Sequence, residues 1–301
     1  MSMGDKNGVG LVGCARSIEH PSKRDVLDLL LDSSLILATD FETYNLKLIT
    51  CGDYVQVYSF QEDKTKKIKD IEKNDKPNKI KLIDTDNLFK KNNSISKSNL
   101  KEIEFKNINR SKLECQRIAK ANSKDWKTFI TLTFAENVTD INIANKRLKY
   151  FIDKIRRIFK DFKYICIPEF QKRGAVHYHL LTNISIHDER FMYCQEDNKK
   201  FKHIKYWNEG FTKVDNLYKD IKKIIGYISK YMTKDIDNRL YNHHRYLCSR
   251  NLEKPKTSYL DLNNPKHLEF YINMIKDKTE IYTNTYQNTY NEDLIEFKEF
   301  L

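Results

Sequence analysis

The stretch KYICIPEFQKRGAVHYHLLTN, residues 163–183, holds the pattern on which our interpretation of the fold depends. KYICIPEF and AVHYHLLTN are mainly apolar runs of the length of buried strands. The QKRG between them ends in glycine, which favours a hairpin turn. The segment therefore predicts two antiparallel strands joined by a short loop.

The residues around this hairpin predict another strand and two helices. KTFITLTF, residues 127–134, alternates as strands do, so its even-numbered and odd-numbered residues lie on opposite faces. Further along, apolar residues recur at intervals of three and four, at Ala144, Leu148, Phe151, Ile155 and Ile158. This spacing predicts a helix of about five turns packed on that strand. A later helix is expected from about residue 220 to 234.

The order strand, helix, strand, strand, helix indicates the fold class. It predicts an α+β fold, in which an antiparallel sheet contains a split β-α-β unit of the ferredoxin or RRM kind with its helices on one face.

His177 and His179 are two residues apart on the second hairpin strand, so both imidazoles project from one face and Tyr178 from the other. If the loop has three residues with Gly174 in the left-handed conformation, Glu169 lies opposite His177 and joins them. A two-residue loop would put Pro168 there instead. Two imidazoles and one carboxylate suit Mg²⁺ or Mn²⁺, whereas a pair of histidines alone equally suits a half-exposed polar surface.

IKKIIGYISKYMTKD, residues 221–235, places Tyr227 and Tyr231 four residues apart, hence as neighbours on one helix face. They flank an apolar stripe, with Lys230 and Lys234 just beyond. Tyrosines commonly border a core with the ring buried and the hydroxyl in water. The repeated Tyr-x-x-Lys spacing instead favours a phenol nucleophile with an ammonium group beside it to hold a phosphate.

FITLTF, PEFQKRGAVHYH and YISKYMTK together resemble the HUH endonucleases that initiate rolling-circle replication in small plasmids, microviruses and filamentous phages. The resemblance covers about residues 110–256, including CSRNLEKP at 248–255. It implies an HUH core in which His177 and His179 bind the metal and Tyr227 and Tyr231 are the paired catalytic tyrosines. Tyr178 stands where the family usually has a purely apolar residue, and we expect it to point outward.

The resemblance also implies an activity and partners. Such enzymes nick one strand at an origin, become joined to the 5′ phosphate through tyrosine, release a 3′ hydroxyl that primes synthesis, and later rejoin the strand. We expect DNA contacts from four basic side chains, Arg173, Lys230, Lys234 and Arg250. No G-x-x-x-x-G-K-[ST] loop is present, so unwinding would come from a host helicase.

Three other functions fit parts of the same pattern. A relaxase or a tyrosine transposase would use the same chemistry on different DNA. A DNA-binding regulator without enzymatic activity would use only the basic surface. An RNA-binding sheet domain would need stacking aromatics that are not evident at RRM positions.

The formal net charge of +12 over 301 residues points to a polyanionic partner. No run approaches the ~18 apolar residues of a membrane span, and MSMGDKNGVG lacks the features of a signal peptide. We therefore expect a cytoplasmic protein of a prokaryotic host. Six widely spaced cysteines suggest reduced thiols rather than a zinc module or disulfides. GVGLVG, residues 8–13, is more typical of a mobile segment than of a nucleotide loop.

Composition and motifs divide the chain into four expected parts. These are an N-terminal appendage at 1–61, a polar linker or insertion at 62–109, the HUH endonuclease domain at 110–260, and a C-terminal helical extension at 261–301. Within the appendage, residues 25–37 predict a short helix, and LKLITCGDYVQVYSFQ predicts a hairpin turning at Gly52 and Asp53.

Overall fold

The computed structural model describes residues 43–66, 97–195, 198–217, 221–233, 243–288 and 292–301. The elements in these residues are β1 (Thr43–Cys51), β2 (Tyr54–Thr65), α1 (Lys97–Ala121), β3 (Thr128–Thr133), α2 (Ile141–Ile158), β4 (Tyr164–Phe170), β5 (Val176–Thr182), β6 (Met192–Gln195), β7 (Asn198–Ile204), β8 (Thr212–Asn216), α3 (Ile221–Thr233), β9 (Leu247–Cys248), β10 (Lys256–Leu260), α4 (Pro265–Ile275), β11 (Glu280–Gln287) and β12 (Leu294–Phe300). The predicted α+β class with antiparallel sheets is confirmed.

One sheet has seven strands in the order β6-β7-β8-β3-β5-β4-β9. On one face, Leu132 of β3 and Leu180 of β5 pack in a core with α2. On the other, Phe129 and Leu181 pack with α1 and α3. The expectation of helices on one face is therefore wrong, because the central strands carry apolar side chains on both faces and both must be covered.

Helix α2 begins after Asp140, whose carboxylate accepts hydrogen bonds from the N–H groups of Asn142 and Ile143. Its 18 residues make five turns, and the predicted stripe is buried as far as Ile155. Ile158 differs, with 39% of its surface exposed, because the helix ends there and Phe159 takes its place against the core.

The second sheet has five strands in the order β10-β1-β2-β12-β11. It joins the predicted hairpin, which turns at Gly52 (φ 61°), to the C-terminal residues, and α4 packs on one of its faces. The predicted C-terminal helical extension is thus wrong for 280–300. EIYTNTYQ alternates β-branched and aromatic residues with polar ones, which favours the strand β11 that pairs with β12.

The other parts of the expected division are only partly within reach of the structure. Residues 1–42, with the predicted short helix and GVGLVG, lie outside the described residues, as do 67–96 of the predicted linker. Residues 97–109 of that linker belong to α1, and β10 at the end of the predicted main domain joins the five-stranded sheet. The division itself stays a prediction.

Two further sequence expectations concern cysteines and membranes. The five cysteines in the described residues, Cys51, Cys115, Cys166, Cys194 and Cys248, are free thiols. Within the same residues, no helix is long and apolar enough to cross a membrane.

Candidate active site

The site lies on the face of the seven-stranded sheet that α1 and α3 cover, and the hairpin register determines it. The N–H of Gln171 donates to the carbonyl of Ala175 at 2.9 Å, and Gly174 has a φ of 89°. This is the three-residue loop, and Glu169 lies directly opposite His177. The predicted register is confirmed, so Glu169, His177 and His179 share one face.

Neighbouring strands continue this face from an apolar half to a polar half. Phe129 of β3 is opposite Leu181 and packs in the core beneath α3. Two residues on, Thr131 is opposite His179, and two further on, Thr133 is opposite His177. The histidines therefore lie at the border where the apolar cover of the helices gives way to polar side chains.

His179 is fixed from both sides of its ring edge. Its Nε2 lies 2.6 Å from Oε2 of Glu169, and its Nδ1 lies 3.3 Å from the hydroxyl oxygen of Thr131. The side chains of His179 and Glu169 are only 5% and 12% exposed. A short contact between buried groups of this kind is a charge-assisted hydrogen bond, with the imidazole N–H donating to the carboxylate.

The residues fit a divalent cation by type and by face, since two imidazoles and a carboxylate suit Mg²⁺ or Mn²⁺. Their arrangement is that of a hydrogen bond, however, because Nε2 of His179 faces Glu169 directly. Over the part of the chain that the structure describes, no group of three histidine, cysteine, aspartate or glutamate side chains is arranged to hold a metal ion. The metal therefore stays a prediction.

Helix α3 brings the two tyrosines onto this face. Ile224, Ile228 and Met232 are buried against the sheet, which turns the tyrosines to the edge of the same contact. The ring of Tyr231 stacks on His179, with 3.6 Å between centroids and 19° between planes. The ring of Tyr227 stacks on Phe129 at 4.3 Å and 13°. Tyr231 is thus in contact with a predicted metal ligand, and Tyr227 lies over the apolar half of the face.

The predicted DNA contacts are at the surface. Lys230 is exposed, with its Nζ 5.3 Å from the ring centroid of Tyr231. Arg173 is exposed in the hairpin loop, where Nη2 donates to the carbonyl of Phe134 at 3.1 Å. Arg250 is exposed in the turn after β9, and Lys234 lies outside the described residues.

Three residues of the site were missed by sequence analysis. Thr131 contacts His179 through its hydroxyl, Phe129 supports the ring of Tyr227, and Lys213 of β8 lies opposite Thr131 on the same face. The alternation of KTFITLTF already put Phe129 and Thr131 on one face, but only the pairing of β3 with β5 relates them to the histidines. Lys213 carried no signal because β8 was not recognised as a strand.

Tyr178, between the histidines, is on the opposite face as predicted, but the expectation that it points outward is wrong. Its ring is fully buried among the residues that pack under α2, and its hydroxyl donates to Oδ1 of Asn145 at 2.7 Å. Burial raises the pKa of this phenol far above its usual value. The apolar position usual in the family is here an aromatic one with a satisfied hydroxyl.

Comparison with known proteins identifies the segment that carries this site. Residues 127–236 match a family model described as Replication-associated protein ORF2. The predicted resemblance to replication-associated proteins is confirmed. The matching segment runs from β3 to the end of α3 and includes the hairpin, the histidines and both tyrosines, and the match supports a role in initiating replication and an interaction with DNA. No curated protein and no solved structure gave a significant match.

Proposed function

We propose that this protein is a site-specific single-strand DNA endonuclease and ligase of the HUH type, which nicks an origin strand to start rolling-circle replication. In this proposal the seven-stranded sheet with α2 and α3 is the HUH core, with β3, β4 and β5 as its centre. The observation that carries the proposal is the stack of Tyr231 on His179, because it joins the tyrosine helix to the histidine pair.

The reaction is a transesterification at phosphorus. The phenolate oxygen of Tyr227 attacks the scissile phosphate, and the bond between phosphorus and the 3′ oxygen breaks. The new ester joins tyrosine to the 5′ phosphate, and the 3′ oxygen takes a proton to become a free hydroxyl. Since one phosphodiester replaces another, the reverse attack rejoins the strand. Tyr231 is the partner tyrosine that allows a second transfer.

The basic side chains hold the strand for this reaction. Lys230 is adjacent to Tyr231 on the exposed side of α3, and Lys234 follows one turn later in the sequence. Arg173 lies in the loop that joins the strands of the proposed metal ligands. Together with Arg250, these residues would contact backbone phosphates and make binding dependent on salt.

Glu169, His177 and His179 would hold Mg²⁺ or Mn²⁺. A bound divalent cation stabilises negative charge on a scissile phosphate. For His179 to become a ligand through Nε2, its hydrogen bond to Glu169 must open and the Nε2 proton must leave. Thr131 would then keep the ring oriented through Nδ1, as the hydrogen-bond partners of metal-bound histidines commonly do. The remaining partners are the origin strand, a host helicase and the replication machinery.

A suicide oligonucleotide that carries a candidate origin tests the proposal, because nicking leaves a covalent adduct visible on a denaturing gel. The wild-type protein with Mn²⁺ should form the adduct, and Tyr227→Phe with Tyr231→Phe should not. Tyr150→Phe is the matched control, since Tyr150 is an exposed tyrosine of α2. Adduct from the double variant would refute the tyrosine assignment, and loss of adduct from Tyr231→Phe alone would reverse the two roles. Binding without nicking in any metal would favour a regulator.

A further inference from the structure

The five-stranded sheet carries a row of aromatic and basic side chains on one face. Tyr259 of β10 is opposite Lys47 of β1, Lys47 is opposite Tyr58 of β2, and Tyr58 is opposite Phe297 of β12. Paired residues share a face, so these four side chains form a transverse row, which we call the aromatic row. All four are partly exposed.

More rings extend the aromatic row on both sides. Tyr44 lies edge-on against Tyr259, with 4.8 Å between ring centroids, and Phe297 lies 4.8 Å from Tyr58. Tyr282 of β11 continues it at 5.9 Å from Phe297 and is 52% exposed. A contiguous set of part-exposed rings on one sheet face is a platform on which planar groups can stack.

Cations lie over these rings. Nζ of Lys47 is 5.7 Å from the ring centroid of Tyr58 and 5.8 Å from that of Tyr259. Nζ of Lys66 is 3.6 Å from the Tyr259 centroid, and the guanidinium of Arg117 is 5.9 Å from that of Tyr58. Nη2 of Arg117 also donates to the Tyr58 hydroxyl at 2.7 Å. Three cationic side chains thus converge on two stacking rings.

The acidic group on the same face is already used. Glu299 of β12 accepts hydrogen bonds from Gln56 and from Lys120 of α1, at the end of the face that α1 covers. The burial of Lys47 and the charges of Arg117 and Lys66 lower the pKa of its ammonium to about 8. These cations therefore repel one another, and an anion would relieve the repulsion.

We propose that the aromatic row binds single-stranded DNA, with bases stacked on Tyr58 and Tyr259 and backbone phosphates held by Lys47, Lys66 and Arg117. Alternating rings and cations match the alternating bases and phosphates of a single strand, whereas a duplex hides its base faces. The row crosses five strands, about 19 Å at 4.8 Å each, which is the length of roughly five stacked nucleotides. The inference rests on the proposed function only in naming DNA rather than RNA.

Fluorescence anisotropy of a labelled oligo(dT) of about 20 nucleotides measures this binding without any nicking. The full chain is used with both Tyr227→Phe and Tyr231→Phe, so that cleavage does not interfere. Into this background Tyr58→Leu, Tyr259→Leu or Lys47→Gln is introduced. Each loss of a stacking ring should weaken binding by about fivefold or more. Lys47→Gln should lower the slope of log affinity against log salt by about 0.7.

Two matched controls separate the row from general surface effects. Lys256→Gln removes an exposed lysine from β10, the strand of Tyr259, on the opposite face of the sheet. Tyr150→Leu removes a tyrosine that is 65% exposed on α2. Both should bind oligo(dT) within about twofold of the background protein. Thermal unfolding of every variant identifies any that fails to fold.

Photocrosslinking keeps the test decisive where a variant is unstable. With the tyrosine-double-Phe background and an oligonucleotide containing 5-bromouracil, crosslinked peptides from β1, β2 or β10 are expected. Crosslinks confined to residues 127–236, together with unchanged affinity of the row variants, would overturn the inference. Tighter binding of oligo(U) than of oligo(dT) would overturn the assignment to DNA. A chain that does not nick but binds through the row would refute the proposed function alone.

Discussion

Replacing Glu169 by alanine tests whether its carboxylate serves only His179 or also a cation. The two side chains form a 2.6 Å hydrogen bond and are 12% and 5% exposed, so little water can replace the lost acceptor. A hydrogen bond to a charged group contributes about 1.5–3 kcal/mol. Without metal, Glu169→Ala should therefore lower the free energy of unfolding by about 2 kcal/mol and the melting temperature by about 4 °C.

Adding Mn²⁺ distinguishes the two roles of the carboxylate. A cation that binds only the folded protein stabilises it by about 2.7 kcal/mol at a hundred times its dissociation constant. The wild-type melting temperature should rise accordingly after chelator treatment and Mn²⁺ addition. Glu169→Ala lacks one of three ligands, so its rise should be close to zero and its yield of covalent adduct should fall with it.

Glu209→Ala is the matched control, because it also removes a carboxylate from an ion pair. Glu209 lies 2.8 Å from Arg147, but its side chain is 35% exposed, so the change should cost less than about 1 kcal/mol. Its response to Mn²⁺ should equal that of the wild type. If Glu169→Ala keeps the full rise with Mn²⁺, Glu169 is not a ligand and the three-residue set must be abandoned.

Two other substitutions have expected outcomes set by the contacts described above. Tyr178→Phe removes the hydrogen bond to Asn145 and should lower the free energy of unfolding by about 1 kcal/mol in urea titrations, with adduct formation unchanged; a loss of adduct would mean that β5 had shifted. Lys47→Met should be more stable than the wild type at pH 7, by up to about 3 kcal/mol, because the pKa of Lys47 falls from 10.5 to about 8 on folding. Between pH 8 and 10.5 the unfolded chain still holds the proton that the folded chain has released, so wild-type stability should rise with pH there and the difference should vanish, and a difference independent of pH would contradict this pKa.

Local patterns predicted the centre of the fold. Gly174 indicated a three-residue loop, and that loop fixed the register that puts Glu169 opposite His177. The spacing of apolar residues located α2, and the stripe of isoleucines located α3 within the described residues. These features depend on neighbours in the chain, so the sequence alone was sufficient.

Features that depend on distant contacts were not predicted. Nothing in β1 indicates that it pairs with β10, which lies far along the chain, and the aromatic row exists only because four separate strands align. The stack of Tyr231 on His179 likewise needs the crossing of α3 over the sheet. The burial of Tyr178 followed from a helix position that periodicity in its own strand does not encode.

Helix α1 determines how much of the chain is needed for a working protein. Cys115, Ile118 and Trp126 all precede the family-matched residues 127–236, yet they fill the core beneath Phe129 and Leu181. A fragment cut at the ends of the match would leave the underside of the tyrosine helix exposed to water. The minimal autonomous unit therefore begins upstream of the recognisable motif, and truncation to the matched segment would remove activity by unfolding rather than by loss of chemistry.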